Sequence, residues 1–281
     1  MKFEKAAREK SRLRLAIEGA AGSGKTMSAL KLASGLGGKI ALIDTEVGSA
    51  SLYADKFDFD VLELTAPFTP ERFTEAIKVA EKEGYDIVIV DSITPEWQGE
   101  GGCLEIQNKL GGKYTDWAKV TPRHNKFIAS ILGSKIHVIV TCRTKAVYNY
   151  DENSKKVTKQ GTAPIQREGL DFELTVVFSV NENHMATATK DRTSLFDGKD
   201  HVISDVTGRT LKTWMELGRT TEPEPPTPPC DEENRAVANL KQLAEHDRDL
   251  AKSIWNSDKT WQNKADEAMV CLLDIESAKP E

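Results

Sequence analysis

Short apolar runs alternate with longer segments of mixed polarity along most of the chain. Tyr85–Val90 is mainly Ile and Val, which is typical of a parallel strand buried on both faces. The runs that we predict to be strands of one sheet are Leu13–Ile17, Lys39–Ile43, Val61–Leu64, Tyr85–Val90 and Ile136–Val140.

Helical spacing of apolar residues fills the segments between these strands. In the second predicted helix, Phe73, Ile77 and Ala80 recur at helical spacing. The predicted helices run from Gly24 to about Gly35, over Pro70–Glu83 and over Trp117–Leu132. Strands that alternate with helices predict an α/β fold, with a mostly parallel twisted sheet flanked by helices.

The pattern changes after Thr144. Two hairpins are predicted, Val147–Tyr150 with Lys156–Lys159 and Phe172–Val180 with His184–Thr189. The proline-rich run at 220–229 is typical of a linker. We therefore expect a core over residues 1–218, a linker over 219–230 and an acidic helical tail over 231–281. The tail should form two helices, one with an apolar face of Ala265, Ala268, Met269, Leu272 and Leu273.

Composition narrows the protein class. The 281 residues are 39% hydrophobic and 29% charged, with a net charge of −6, and the residues from Arg219 onward hold 8 Lys and Arg against 14 Asp and Glu. No apolar run could span a bilayer and no secretory signal is visible, which favours the cytoplasm, that of a bacterial host if the gene is a phage's. The scattered Cys and His residues predict neither a disulfide framework nor a His/Cys metal cluster.

A phosphate-binding motif lies between the first strand and the first helix. Glycines allow the backbone N–H groups of such a loop to surround a phosphate, at the positive end of the following helix. Lys25 would reach the β- and γ-phosphates, and the Thr26 hydroxyl would bind Mg²⁺. No base-recognition motif of a GTPase follows, so ATP is the expected nucleotide. The loop reads Gly19, Ala20, Ala21, Gly22, Ser23, Gly24, Lys25 and Thr26.

Carboxylates end two of the predicted strands. Asp91 follows Ile87–Val90, where it could bind Mg²⁺ at the carboxyl edge of the sheet. Hydrolysis also needs a group that activates water. In AAA+ ATPases this is usually a glutamate directly after that aspartate, but here the position is Ser92. Glu46, after the strand that ends at Ile43, is the candidate base; a solvated loop glutamate is the alternative.

The run Ala41–Glu46, followed by Leu52–Ala54 and by the Asp91 strand, resembles the core of RecA-family ATPases. The resemblance covers about residues 10–218 and includes short phage-encoded RecA-like ATPases, among them the Sak-type single-strand annealing proteins. It implies a RecA-like core in which Glu46 activates water. It also implies binding of single-stranded DNA by a homo-oligomer, as a ring or a filament.

Lys190 and Arg192 follow a predicted strand at a place where RecA-like proteins carry basic pairs that reach the nucleotide of the adjacent subunit. A solvated basic turn is the alternative. Thr141 and Arg143 follow Ile136–Val140 and resemble the position that senses the γ-phosphate. Near the amino terminus, Phe3–Ala6 matches the F-x-x-A pattern of subunit docking in the same family.

Two segments are candidates for DNA contact because both leave the carboxyl edge of the sheet. The first, Thr94–Lys113, is rich in glycine and is predicted to be a loop. The second, Lys145–Glu168, interleaves basic residues with tyrosines, which could bind phosphates and stack on bases. Its relevant residues are Lys145, Tyr148, Tyr150, Lys155, Lys156, Lys159 and Arg167.

The sequence therefore predicts an ATP- and Mg²⁺-dependent ATPase that acts on single-stranded DNA in recombination, by annealing or strand pairing. The acidic tail could contact a single-strand-binding protein or shield the DNA loops. A RecA-fold ATPase that handles a protein partner, such as a helicase loader or a packaging accessory, remains an alternative. A P-loop kinase of a small molecule is a further one.

Overall fold

A computed structural model of the chain describes residues 11–151, 156–217, 231–257 and 259–277. The chain divides into two compact units, Met1–Arg219 and Thr220–Glu281. The predicted linker at 219–230 and the F-x-x-A pattern at Phe3–Ala6 lie outside the described residues.

The first unit alternates strands and helices. Its strands are β1 Arg14–Gly19, β2 Ile40–Asp44, β3 Asp60–Glu63, β4 Ile87–Asp91, β5 His137–Asp151, β6 Lys156–Pro164, β7 Val176–Val180, β8 Ala186–Asp191 and β9 Asp200–His201. Its helices are α1 Lys25–Leu36, α2 Pro70–Lys82, α3 Thr94–Gln98, α4 Cys103–Lys109, α5 Trp117–Leu132, α6 Leu170–Glu173 and α7 Asp205–Glu216. Short 3₁₀ turns cover Ala50–Tyr53 and Tyr114–Asp116.

The nine strands form a sheet in the order β3-β2-β4-β5-β1-β7-β8-β9, and β6 pairs with β5. The strands from β3 to β7 in this order are parallel, whereas β6, β8 and β9 pair antiparallel. This arrangement confirms the predicted α/β fold with a mostly parallel sheet. The segments that follow β1, β2, β4 and β5 therefore leave the same edge of the sheet, which we call the carboxyl edge.

Helices cover both faces of the sheet, which is why the central strands are apolar on both sides. On one face, Leu15 and Ile17 of β1 belong to the same buried cluster as Leu30 of α1 and Leu211 of α7. On the other face, α2 and α5 pack with the rings of Phe73 and Phe127 5.4 Å apart between centroids. β4 is buried along its whole length.

Three predicted elements differ in the structure. Thr94–Lys113, predicted to be a glycine-rich loop, contains α3 and α4 instead. Phe172 lies in α6, so the strand of the second hairpin begins only at Val176. β5 runs beyond the predicted Val140 to Asp151, because it first pairs parallel with β1 and β4 and then antiparallel with β6.

The second unit consists of α8 Asp231–His246, α9 Arg248–Trp255 and α10 Trp261–Ser277. The prediction of two tail helices is therefore wrong. Ala265 and Ala268 of the predicted apolar face are buried, but Met269 is 45% exposed. Within the described residues, no helix is both long enough and apolar enough to cross a lipid bilayer.

A close approach of α1 and α7 depends on two glycines. A Cβ atom on Gly35 would overlap the carbonyl oxygen of Asp205, and one on Gly208 would overlap the carbonyl oxygen of Leu32. The atoms met are backbone atoms, which cannot rotate away. The two helices can therefore pack at this distance only without side chains at these positions.

We expect Gly35→Ala to lower the free energy of unfolding. Overpacking costs about 1–3 kcal/mol, and the backbone contacts place this site at the upper end, above the gain of about 1 kcal/mol that alanine brings to a helix. Urea denaturation of the full chain measures the change. Ser34→Ala, at the exposed neighbouring position, is the control and should have little effect; a stabilised Gly35→Ala protein would contradict the proposed close packing.

Candidate active site

The glycine-rich loop joins the carboxyl end of β1 to the start of α1. Gly19 has no room for a side chain, because a Cβ atom would overlap the Ser23 hydroxyl and would lie 2.6 Å from the carbonyl oxygen of Val180. Gly24, directly before α1, has a φ of 88°, which glycine adopts without strain. The loop is thus shaped by its own backbone before any ligand binds.

Two polar groups of this loop fit a phosphate ligand. The Ser23 hydroxyl is buried and has no hydrogen-bond partner among the residues that the structure describes. The Lys25 ammonium donates to the carbonyl oxygen of Ala20 at 2.8 Å, within the loop itself. Burial lowers the pKa of Lys25, while Asp91 and Glu46 oppose that shift. A triphosphate would therefore find a cation and a free hydroxyl at the amino-terminal end of α1.

Asp91 lies at the carboxyl end of β4, next to the loop. Its carboxylate accepts hydrogen bonds from the Thr26 hydroxyl at 2.6 Å and from the Thr141 hydroxyl of β5. Burial raises the pKa of Asp91, and the two hydroxyl donors partly offset this. A carboxylate and a hydroxyl in contact are oxygen ligands of the type that Mg²⁺ binds, so Thr26 and Asp91 are the residues that would hold it.

Asp44 ends β2, and Glu46 lies in the turn that follows. Asp44 pairs in register with Asp91 of the neighbouring β4. Its carboxylate accepts the backbone N–H of Glu46 at 2.7 Å and that of Ala50 at 3.1 Å, which fixes the turn. The Glu46 side chain then lies at the carboxyl edge, near enough to influence Lys25.

Arg143 binds the candidate base. Its guanidinium donates to Glu46 Oε1 at 2.8 Å from Nη2 and at 3.0 Å from Nε. The backbone N–H of Arg143 donates to the Thr94 hydroxyl of α3 at 2.9 Å. Thr141 and Arg143, the two residues predicted to sense the γ-phosphate, therefore each contact one of the two carboxylates. Thr141 contacts Asp91, and Arg143 contacts Glu46.

Ser92 is used to join two strands. Its backbone N–H donates to the Thr45 hydroxyl at 2.9 Å, and that hydroxyl lies 3.1 Å from the carbonyl oxygen of Ser92. The position that holds a glutamate in many AAA+ ATPases thus ties β4 to β2 here. No carboxylate is available at this position to activate water.

Lys190 lies near the end of β8, and Arg192 directly follows that strand. Val180 of β7 pairs with Gly19, whereas Val177 pairs with Lys190 of the antiparallel β8. The Lys190 ammonium donates to the carbonyl oxygen of Asp171, and the backbone N–H of Arg192 donates to that of Thr175. The Arg192 backbone is therefore level with the amino-terminal end of β1, away from the glycine-rich loop, whereas the Lys190 ammonium binds beside Asp171, which lines the same cavity as Glu18.

His184 contacts the loop, although sequence reasoning missed it. Its Nδ1 lies 2.9 Å from the carbonyl oxygen of Ser23, so this nitrogen carries the proton and donates. The residue lies in the turn between β7 and β8 with a φ of 61°. The turn was visible in the sequence, but its position beside the loop follows from the pairing of β1 with β7, which no local pattern shows.

Glu18, directly before Gly19, was also missed. Burial raises its pKa to about 7, and Asp171 adds to the shift. It lines a cavity of about 420 Å³ together with Asp171 and Thr189. A lone glutamate in a strand gives no signal of such an environment.

One Cys and one His that are far apart in the sequence lie together with a carboxylate in the structure. Glu96 of α3, Cys103 of α4 and His124 of α5 are buried, with their possible ligand atoms within 4.8 Å of one another. Glu96 Oε1 accepts from the Cys103 thiol at 3.1 Å and lies 3.0 Å from His124 Nδ1. Gln166 also donates to Glu96 at 3.3 Å. These bonds join the three helices through one buried carboxylate.

The second candidate DNA segment is the β5–β6 hairpin. Lys145 and Tyr148 are exposed on it, whereas the side chains of 149–159 lie outside the described residues, including those of Tyr150, Lys155, Lys156 and Lys159. Arg167 follows β6 and donates to the Thr121 hydroxyl at 3.0 Å. Its guanidinium lies 5.9 Å from the ring centre of Trp117.

Comparisons with known proteins gave one family match. No curated protein matches the chain significantly. A protein-family profile described as AAA domain matches residues 11–213, which include the loop, both carboxylates and Arg143. That family consists of P-loop ATPases of the AAA type, and it indicates that the chain binds and hydrolyses a nucleotide, ATP with Mg²⁺ in the usual case. The match covers most of the 281 residues, and the chain therefore belongs to the AAA domain family.

Proposed function

We propose that this AAA-domain ATPase has a RecA-type catalytic arrangement and acts on single-stranded DNA, by annealing or strand pairing in recombination of the phage type. The observation that carries the proposal is the place of Glu46. It lies in the turn after β2, the strand next to that of Asp91, while the position after Asp91 is taken by Ser92. This is the arrangement in which the sequence resembles RecA-family ATPases.

The residues at the carboxyl edge could together supply the groups that ATP hydrolysis needs. Lys25 and the loop N–H groups would bind the phosphates, and bound Mg²⁺, held through Thr26 and Asp91, would neutralise their charge. Glu46 would orient a water molecule and take its proton as the water oxygen bonds to the γ-phosphorus. The bond from that phosphorus to the bridging oxygen breaks, and ADP leaves with the electron pair.

The Glu46–Arg143 ion pair supports coupling between hydrolysis and DNA. Arg143 lies in β5, which continues into the exposed β5–β6 hairpin. A ligand on the hairpin would act on the strand that holds the catalytic base. Stimulation of hydrolysis by DNA would follow if DNA binding draws Arg143 away from Glu46. The Glu46 carboxylate can accept a proton from water only when it is not held in the ion pair with the guanidinium.

Assembly is the second part of the proposal. The Arg192 backbone is level with the amino-terminal end of β1, away from the glycine-rich loop of its own chain. If Lys190 and Arg192 assist ATP hydrolysis as the basic pairs of RecA-like proteins do, they would do so at the nucleotide of a second copy. A cation supplied across an interface would stabilise the charge that develops on the γ-phosphate. Activity would then require a homo-oligomer.

The proposed function predicts that single-stranded DNA raises the ATPase rate and that the protein anneals complementary strands. Steady-state phosphate release, with and without oligothymidylate, measures the first; a fluorescence-quenching annealing assay measures the second. Lys25→Ala is the control and should show neither ATP turnover nor its stimulation. An ATPase rate that DNA does not change would contradict the proposal and would favour a protein partner.

Glu46→Gln is expected to bind ATP with normal affinity and to lose nearly all turnover. Glutamine keeps the shape of the side chain but cannot take a proton, and a positioned base contributes about 10²–10⁴-fold. Equilibrium binding of a fluorescent ATP analogue and single-turnover hydrolysis separate the two effects. Glu63→Gln, at an exposed position of the adjacent β3, should leave both unchanged. Preserved turnover in Glu46→Gln would show that another residue is the base.

A mixture of Glu46→Gln and Arg192→Ala proteins is expected to recover part of the ATPase activity that each lacks. In a mixed oligomer, the intact Arg192 of one copy would face the intact Glu46 of the other. The double variant mixed with Arg192→Ala supplies no intact arginine and should not recover. Lack of recovery at every ratio, with oligomers verified by light scattering, would contradict a role for Arg192 in trans.

A further inference from the structure

An aromatic cavity lies near the carboxyl edge, and none of the residues assigned above to the nucleotide site lines it. It measures about 1040 Å³ and is lined by Trp97, Tyr114 and Trp117, together with Arg167 and Glu168. Trp97 belongs to α3, which follows β4. Tyr114 lies in the 3₁₀ turn directly before α5, and Trp117 is the first residue of α5. We define these three rings and Arg167 as the aromatic cavity. Its volume is at the upper end of those that take small ligands.

The two tryptophan rings stack on each other. Their centroids are 5.4 Å apart and their planes are inclined by 18°. The Arg167 guanidinium lies 5.9 Å from the centre of the Trp117 ring. Stacked rings with an arginine beside them provide the surfaces on which unpaired bases stack and the charge that a phosphate contacts.

Tyr114, which also lines the cavity, is unusually exposed for a large aromatic residue. It is 90% exposed, so its ring contributes little to the protein's own core. The neighbouring Lys113 is also exposed. An exposed ring beside a half-buried stacked pair is available for a base to stack on. Lys113 is available to pair with a phosphate of the DNA backbone.

Buried contacts fix the position of the Trp97 ring. Glu96, next to Trp97, is buried and lies 3.0 Å from His124 Nδ1. The His124 ring in turn meets Trp97 edge-on, at 5.6 Å between centroids. Rings fixed in this way lose little conformational freedom when a ligand stacks on them.

The cavity is also connected to the catalytic base. Thr94, in the same short helix as Trp97, accepts the backbone N–H of Arg143 at 2.9 Å, and the Arg143 side chain binds Glu46. A ligand that moved α3 would reach the base through two direct contacts. The β5–β6 hairpin offers an alternative contact site, because Tyr148 is 62% exposed there.

We propose that the aromatic cavity binds the bases of single-stranded DNA by stacking, with Tyr114 as the outermost platform. The proposal rests on the proposed function and assigns its DNA site to α3 and α5 in addition to any contact by the hairpin. The lining carries one cation, Arg167, and one carboxylate, Glu168. Base stacking, more than phosphate charge, should therefore determine the affinity of this site.

The test compares oligothymidylate with an oligomer of the same length whose central nucleotides are abasic. Tyr114→Ala is expected to weaken binding of oligothymidylate by roughly 5- to 150-fold, the range that corresponds to one stacked base. Binding of the abasic oligomer should be unchanged, as should the ATPase rate without DNA. Fluorescence anisotropy at fixed salt measures the affinities.

Two further variants make the result specific. Tyr114→Phe keeps the ring without the hydroxyl and should bind normally. Tyr148→Ala removes an exposed tyrosine from the hairpin and should change the affinity less than Tyr114→Ala. Oligothymidylate should also quench tryptophan fluorescence, and the Trp117→Phe protein should show a smaller quench.

The outcomes separate this proposal from the proposed function. DNA that binds and stimulates the ATPase equally in wild type and Tyr114→Ala would overturn the aromatic site and leave the function standing. Equal loss of oligothymidylate and abasic binding in Tyr114→Ala would also overturn it, because stacking would not be the cause. A wild-type protein that binds no single-stranded DNA would overturn both.

Discussion

The hydrogen bond from the Thr26 hydroxyl to Asp91 joins the glycine-rich loop to the centre of the sheet. Asp91 ends the fully buried β4, and Thr26 is in the first turn of α1. The bond therefore fixes the helix end that would receive phosphates relative to the strand that carries the carboxylate. Since β4 also pairs with β2 and β5, every other group at the carboxyl edge is positioned from this strand.

Contacts made outward from Asp91 connect the edge as a whole. Thr141 of β5 donates to the same carboxylate, and two residues later Arg143 binds Glu46. The backbone of Arg143 bonds to Thr94 of α3. The nucleotide site, the candidate base and the aromatic cavity are thus linked through shared neighbours. Each bond in this series is short, so a shift of one group must be accommodated by the next.

The sequence could predict the elements whose signal is local. β4 reads as a continuous apolar run because α-helices cover both of its faces, and the glycine-rich loop reads directly because its backbone geometry demands glycine at Gly19 and Gly24. α3 and α4 are short and lie among glycines, so neither is long enough to show a repeating helical pattern of apolar residues, and the segment reads as a loop.

Contacts between distant parts of the chain could not be predicted in the same way. Glu96 and His124 are 28 positions apart and meet only because α3 and α5 pack together. His184 reaches Ser23 across 161 positions because β7 lies beside β1. Arg143 meets Glu46 only after β2, β4 and β5 are assembled in order. The residues were visible in the sequence, but their partners depend on strand order.

Ser92 explains why the source of the base must differ from that of many AAA+ ATPases. Its backbone and the Thr45 hydroxyl form a reciprocal tie between β4 and β2, so the residue after Asp91 is committed to holding the two strands together. β2 is thereby placed directly beside the strand that carries the Asp91 carboxylate, with Asp44 in register with Asp91. The same tie that excludes a base on β4 brings the turn that carries Glu46 to the edge where a base is needed.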